Sequence, residues 1–185
     1  PLWQEERSFP KGKEPIFLET TNAFGTGLHE TTRFSSQLIE GLRGEFDSFL
    51  DVGTGTGILA MVALKCGARH VEAFDIDREA IDVARANLKA NGLRCRLFVA
   101  DAGTYRPERT FDLVAANLVS PDLIAFRDRI ASFVAPGGKL VVSGISLKNI
   151  PRVKKAFAVP QLKLMKVVRG KEWTAMMFRR EGRRS

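Results

Sequence analysis

Apolar positions follow two rhythms along the chain. Short, nearly continuous apolar runs occupy 70–75, 111–117 and 139–145, and a further one opens the stretch 47–59. Runs of this length and continuity are strands of a mostly parallel sheet, covered on both faces. Less continuous strands are predicted at 96–100, 161–168 and 172–179. Between them the spacing turns helical. Phe34, Leu38, Ile39 and Leu42 recur at helical intervals with Gly44 as the stop, and His29 or Thr31 opens that helix. Residues 58–66 form an apolar helix ending at Gly67. A third helix covers 77–91, with Asp77 as N-cap, Gly92 as stop and Ala80, Ile81, Ala84 and Leu88 as its buried stripe. A fourth runs from 121 through 134, Gly137 and Gly138 then make a turn before the fifth strand, and a basic helix spans 148–158. Strand and helix alternate five times and a hairpin finishes the chain. The predicted fold is α/β: a seven-stranded, mostly parallel sheet with an antiparallel C-terminal hairpin strand and helices on both faces.

The stretch 47–59 reads D-S-F-L-D-V-G-T-G-T-G-I-L: strand, glycine turn, helix. Gly53, Gly55 and Gly57 let the backbone approach a ligand closely, and the helix that follows offers its free N–H groups. The dinucleotide fingerprint G-x-G-x-x-G requires a third glycine where this chain has Ile58. Here the pattern is G-x-G-x-G, preceded by Asp51. Asp75 closes the second strand 22 residues beyond Gly53, where an acid accepts the ribose hydroxyls of a nucleoside. Asp101 follows the third strand at the same carboxyl edge. It can accept the amino hydrogens of adenine, and a plain turn role is equally open. Asn117 ends the fourth strand and is expected to face the crevice rather than the core.

Composition adds limits rather than chemistry. The 185 residues suit a single domain, and 44% hydrophobic with 27% charged content is that of a soluble globular protein. No apolar run approaches membrane length and 1–13 lacks the apolar core of a signal peptide, so a cytoplasmic protein is expected. The two cysteines, Cys66 and Cys95, form no C-x-x-C pair, and no metal site is expected. Net charge is +8, concentrated in Arg179, Arg180, Arg183 and Arg184 and in Lys148, Arg152, Lys154 and Lys155. That balance allows weak RNA contact through the basic tail, although a solvated surface explains it more simply.

Five segments together carry a resemblance: A-F-G-T-G-L-H-E-T-T at 23–32, D-V-G-T-G-T-G-I-L-A at 51–60, D-I-D at 75–77, A-N-L-V-S-P at 116–121 and P-G-G-K-L-V-V-S-G-I at 136–145. The chain resembles the bacterial ribosomal protein L11 methyltransferase family, class I enzymes dependent on S-adenosylmethionine. The first segment is the specific one. The resemblance implies transfer of methyl groups to amino nitrogens of a protein, lysine side chains and α-amines, with a ribosomal protein as partner. It further implies that S-adenosylmethionine contacts Phe24, Gly25, Thr26, Asp51, Gly53, Gly55, Gly57, Asp75, Ile76, Asp101 and Asn117. Asn117, Thr26 and His29 are the implied catalytic residues: Asn117 orients the amine, and His29 is either a base or a structural cap. The expected organisation is a linker or arm at 1–18, a methyltransferase domain at 19–180 and a basic tail at 181–185. Family members carry an N-terminal substrate-recognition domain ahead of such a linker, which leaves the substrate the open part. Two competing expectations are an enzyme of the same fold acting on a small amine or RNA, and a non-catalytic module that binds the cofactor.

Overall fold

The computed structural model describes residues 15–18 and 29–182. Its elements in chain order are α1 (Glu30–Glu40), β1 (Ser48–Val52), α2 (Ile58–Lys65), β2 (His70–Asp75), α3 (Arg78–Ala90), β3 (Arg96–Val99) and β4 (Phe111–Asn117). There follow α4 (Ser120–Ala125), α5 (Arg127–Phe133), β5 (Val134–Ser146), α6 (Ile150–Phe157), β6 (Leu162–Arg169) and β7 (Trp173–Arg180). All seven strands join one sheet in the order β3-β2-β1-β4-β5-β7-β6. The pairs from β3 to β5 are parallel, and β7 runs antiparallel to both β5 and β6. The predicted architecture is the observed one.

The continuous apolar runs follow from burial on two sides. Successive strand residues point to opposite faces. Phe49, Leu113, Ala115 and Val141 therefore pack under Leu38 and Ile39 of α1 and Leu59 and Ala63 of α2. Their neighbours Leu50, Val114, Leu140 and Val142 pack under Leu123 of α4, Ile130 of α5 and Val153 of α6. A polar residue inside such a run loses water on whichever face it takes, so polar side chains collect where the strands end. Those of β1 and β4 end side by side at the point where the strand order reverses. In open α/β sheets that reversal creates the ligand crevice.

Four expected boundaries are corrected. The first helix is capped by His29 and ends at Gly41, with Gly44 closing the irregular turn that follows. The helix predicted over 121–134 is two helices. Phe126, at φ −99° and ψ 7°, leaves the helical region between them. Gly137 and Gly138 do not precede the fifth strand but lie within it, as a bulge where Phe111 pairs with Val134 and Leu113 with Lys139. The basic helix starts with a single 3-10 turn at Leu147–Asn149 before Pro151 opens the α-helical part.

Candidate active site

A cavity of about 600 Å³ lies over the carboxyl ends of β1, β2 and β4. Its floor is the glycine turn. The N–H groups of Gly53 and Thr54 both donate to the carbonyl oxygen of Phe74, at 3.0 and 2.9 Å, which ties the turn to β2. The N–H of Gly55 donates to Asp75 Oδ2 at 2.9 Å, and that of Asp77 to Asp75 Oδ1 at 3.1 Å. Each oxygen of Asp75 thus holds one backbone donor. A carboxylate offers about four lone-pair directions, so acceptor capacity remains for a diol. From behind, buried Asn87 of α3 donates its amide N–H to the carbonyl oxygen of Thr56 at 3.0 Å.

Asp51 lies beneath the turn rather than on the cavity wall. It is 1% exposed, and its Oδ2 accepts the hydroxyl of Thr54 at 2.7 Å. Burial pushes its carboxyl up to about 7, with the Thr54 hydrogen bond opposing the shift. Because the folded value lies above the ordinary 3.8, this group's stabilising contribution is complete below pH 3.8 and is lost as pH rises through about 7. Asp51→Asn is expected to abolish that loss. Denaturant midpoints measured between pH 4 and pH 8 should fall for the parent chain relative to the variant, by a few kcal/mol in stability. Parallel profiles would refute the assignment. Gly57, also off the cavity wall, caps α2, and a Cβ there would lie 3.1 Å from Cβ of Ala84 on α3.

The remaining walls come from every layer. Ile76, 69% exposed, and Val119, 58% exposed, present apolar surface at the cavity. Asp101 both lines the cavity and closes a turn, its Oδ1 accepting the N–H groups of Gly103 and Thr104 at 2.8 and 3.1 Å. Asn117 Oδ1 accepts the hydroxyl of Ser143 at 2.8 Å. His29 caps α1: its Nδ1 accepts the N–H of Thr31 at 3.4 Å and lies 2.8 Å from Thr31 Oγ1. Its ring meets Trp173 edge-on at 5.0 Å. Trp173 is held on this side by Glu30, whose carboxylate accepts the N–H groups of Lys171 and Glu172 at 3.2 and 3.3 Å. Those backbone donors keep the Glu30 carboxyl below its usual range.

Gly53, Gly55, Asp75, Asp101 and Asn117, expected at the crevice from their places along the chain, share one cavity with Ile76 and His29, which the resemblance implied. Phe24, Gly25 and Thr26 lie outside the described residues. Sequence reasoning missed Ser143, Gly144, Trp173 and Phe126. Only Gly144 carried a signal, since an isolated glycine inside an apolar strand marks close backbone approach. Among the described lining residues, Asp75, Asp101 and Asp122 are acidic and none is lysine or arginine. Such a wall suits a cationic ligand and repels a pyrophosphate.

Comparison with known proteins agrees with this geometry. A family model described as ribosomal protein L11 methyltransferase (PrmA) matches residues 1–181. The ribosomal protein L11 methyltransferase of Geobacter sulfurreducens is 40% identical over 182 residues, covering 98% of this chain and 60% of the relative. That of Pelobacter propionicus is 36% identical, covering 99% and 60%. The chain thus spans about 60% of the length of the curated relatives it matches. Among solved structures, a ribosomal protein L11 methylase from Lactobacillus delbrueckii subsp. bulgaricus superposes with a TM-score of 0.88 at 29% identity, covering 97% of this chain and 92% of that one. An S-adenosylmethionine-dependent methyltransferase from Clostridium acetobutylicum shares the fold at a TM-score of 0.68 and 17% identity, over 84% and 94% of the two chains.

Proposed function

The chain belongs to the ribosomal protein L11 methyltransferase family, and from that premise we propose that it transfers methyl groups from S-adenosylmethionine to amino nitrogens of a protein. The acceptors in this reading are lysine side chains and an α-amine of ribosomal protein L11 or a similar protein. The observation that carries the proposal is the composition of the cavity: a glycine turn clamped to a carboxylate, an asparagine facing it, and acidic side chains without a cationic one among the described residues.

The residues fit the cofactor. The cavity's volume of about 600 Å³ lies in the range of cofactor sites. Asp75 would hold the ribose hydroxyls, Asp101 the adenine amino group, and Ile76 the face of the base. When bound, the cofactor supplies a methyl carbon activated by a sulfonium, which leaves little covalent chemistry to the protein. The chain's task is placement and exclusion of water. An ammonium cannot attack, so the acceptor must lose its proton before transfer. Asn117 then accepts an amine N–H without acting as a strong base. His29, with Nδ1 committed to Thr31, is read as the residue that fixes the start of α1 beside Trp173. Thr26, with Phe24 and Gly25, is read as part of the loop over the cofactor.

In the same reading, 19–180 is the catalytic domain, 1–18 a linker and 181–185 a basic tail able to touch RNA weakly. No helix among the described residues is long and apolar enough to cross a membrane, and a cytoplasmic location fits a ribosomal substrate. Asp75→Ala tests the cofactor assignment. Isothermal calorimetry with S-adenosylhomocysteine should show about 100-fold weaker binding, the worth of two hydrogen bonds to a charged group. The parent chain should bind this ligand and not NAD. Unchanged affinity in the variant, or preference for NAD, would overturn the assignment.

A further inference from the structure

Behind Asn117 lies a line of buried hydroxyls that the reaction as described does not use. Asn117 closes β4, and its register partner on β5 is Ser143. Ser143 is 0% exposed, and its hydroxyl donates to Asn117 Oδ1 at 2.8 Å. Ser35 of α1, 1% exposed, places its Oγ 2.6 Å from Ser143 Oγ. A single Ser143 proton cannot serve both neighbours. With it committed to Asn117, the Ser35 hydroxyl must be the donor to Ser143, which gives the line one direction from helix to cavity.

This placement is costly unless it serves a purpose. Val141, Val142 and Ile145 surround Ser143 on β5, and all are fully buried. An alanine or valine would fill such a position without a hydroxyl to desolvate. A terminal amide, by contrast, has two orientations of similar shape that exchange its oxygen and its N–H₂. Whichever end faces the acceptor amine decides whether the amide accepts an amine N–H and leaves the nitrogen lone pair free, or donates to that lone pair and ties it up. A directed donor on the oxygen selects one orientation. We propose that Ser143, itself held by Ser35, is a positioning residue that fixes the Asn117 carboxamide so that its remaining oxygen lone pair meets the amine to be methylated. This rests on the reading of Asn117 as the residue facing that amine.

The test needs no acceptor protein. Sinefungin carries an amine in place of the transferred methyl, whereas S-adenosylhomocysteine has no group there. The ratio of their affinities, measured by calorimetry on the 185-residue chain, reports the contact between Asn117 and an amine at the transfer position. Asn117→Ala should lower the preference for sinefungin about tenfold, as expected for one hydrogen bond to a charged group. Ser143→Ala should lower it by a similar factor while leaving S-adenosylhomocysteine affinity unchanged. The double variant should be no worse than Asn117→Ala alone. Ser35→Ala acts one step further back, should lower the preference about threefold, and serves if Ser143→Ala does not fold. A Ser143 or Ser35 variant with parental preference beside an impaired Asn117→Ala overturns the relay and leaves the Asn117 reading standing. An effect of Ser143→Ala that persists in the double variant also overturns the relay. Parental preference in Asn117→Ala overturns the Asn117 reading itself, and the relay with it.

Discussion

Asn117→Ala is expected to bind S-adenosylhomocysteine within about twofold of the parent chain and to lose about 100-fold in kcat. The side chain ends β4, where its backbone is held in register with β5 and its amide is held by Ser143. Truncation therefore removes an oriented acceptor without disturbing the glycine turn or Asp75, which are positioned by the carbonyl of Phe74 and the N–H of Gly55. In the proposed reaction, an amine without that acceptor would sample orientations that do not point its lone pair along the transfer axis. The expected loss is in turnover rather than in affinity for the cofactor product. Unchanged turnover would remove Asn117 from the mechanism. Weakened S-adenosylhomocysteine binding with normal turnover at saturation would instead make it a cofactor ligand only.

The second large effect is expected at Gly144. It adopts φ +83°, and an added Cβ would lie 2.1 Å from the carbonyl oxygen of Leu118 and 2.8 Å from its carbonyl carbon. Backbone cannot yield as a flexible side chain does. On its other side Leu118 covers the glycine turn, where a Cβ added to Gly53 would meet its Cδ2 at 2.5 Å. Leu118, one residue after Asn117, thus lies between Gly144 of β5 and the glycine turn. Gly144→Ala should cost about 3 kcal/mol or more in stability and displace Leu118 toward the turn. Chemical denaturation and S-adenosylhomocysteine calorimetry should both register the change. Gly53→Ala meets only the end of a leucine side chain, although its φ of +73° also strains an alanine, and should be the milder variant. Parental stability and binding in Gly144→Ala would show that β4 and β5 can part at no cost.

Those two positions also mark what the sequence reveals. Strands such as 111–117 were legible because both faces are buried, leaving a continuous apolar run with a polar residue at its end. Asp75 was legible because the distance from glycine turn to strand end is set by one helix and one strand of ordinary length. The break at Phe126 was not, since Leu123, Ile124, Ile130 and Ala131 keep helical spacing across it and all pack on the same core. The bulge at Gly137 and Gly138 was read as a turn because glycine pairs mark both, and only the pairing of Val134 with Phe111 separates them. Ser143 was invisible for a different reason. A serine within an apolar strand carries no periodic signal, and the partner that explains it, Ser35, lies 108 residues away.

The proposed reaction is methyl transfer to protein nitrogen. Its most direct measurement is mass spectrometry of ribosomal protein L11 after incubation with the chain and S-adenosylmethionine carrying an isotopically labelled methyl. Labelled methyl groups are expected on lysine side chains or the α-amine of L11, with the Asn117→Ala variant markedly slower. Label appearing on RNA or a small amine while L11 stays unlabelled would contradict it.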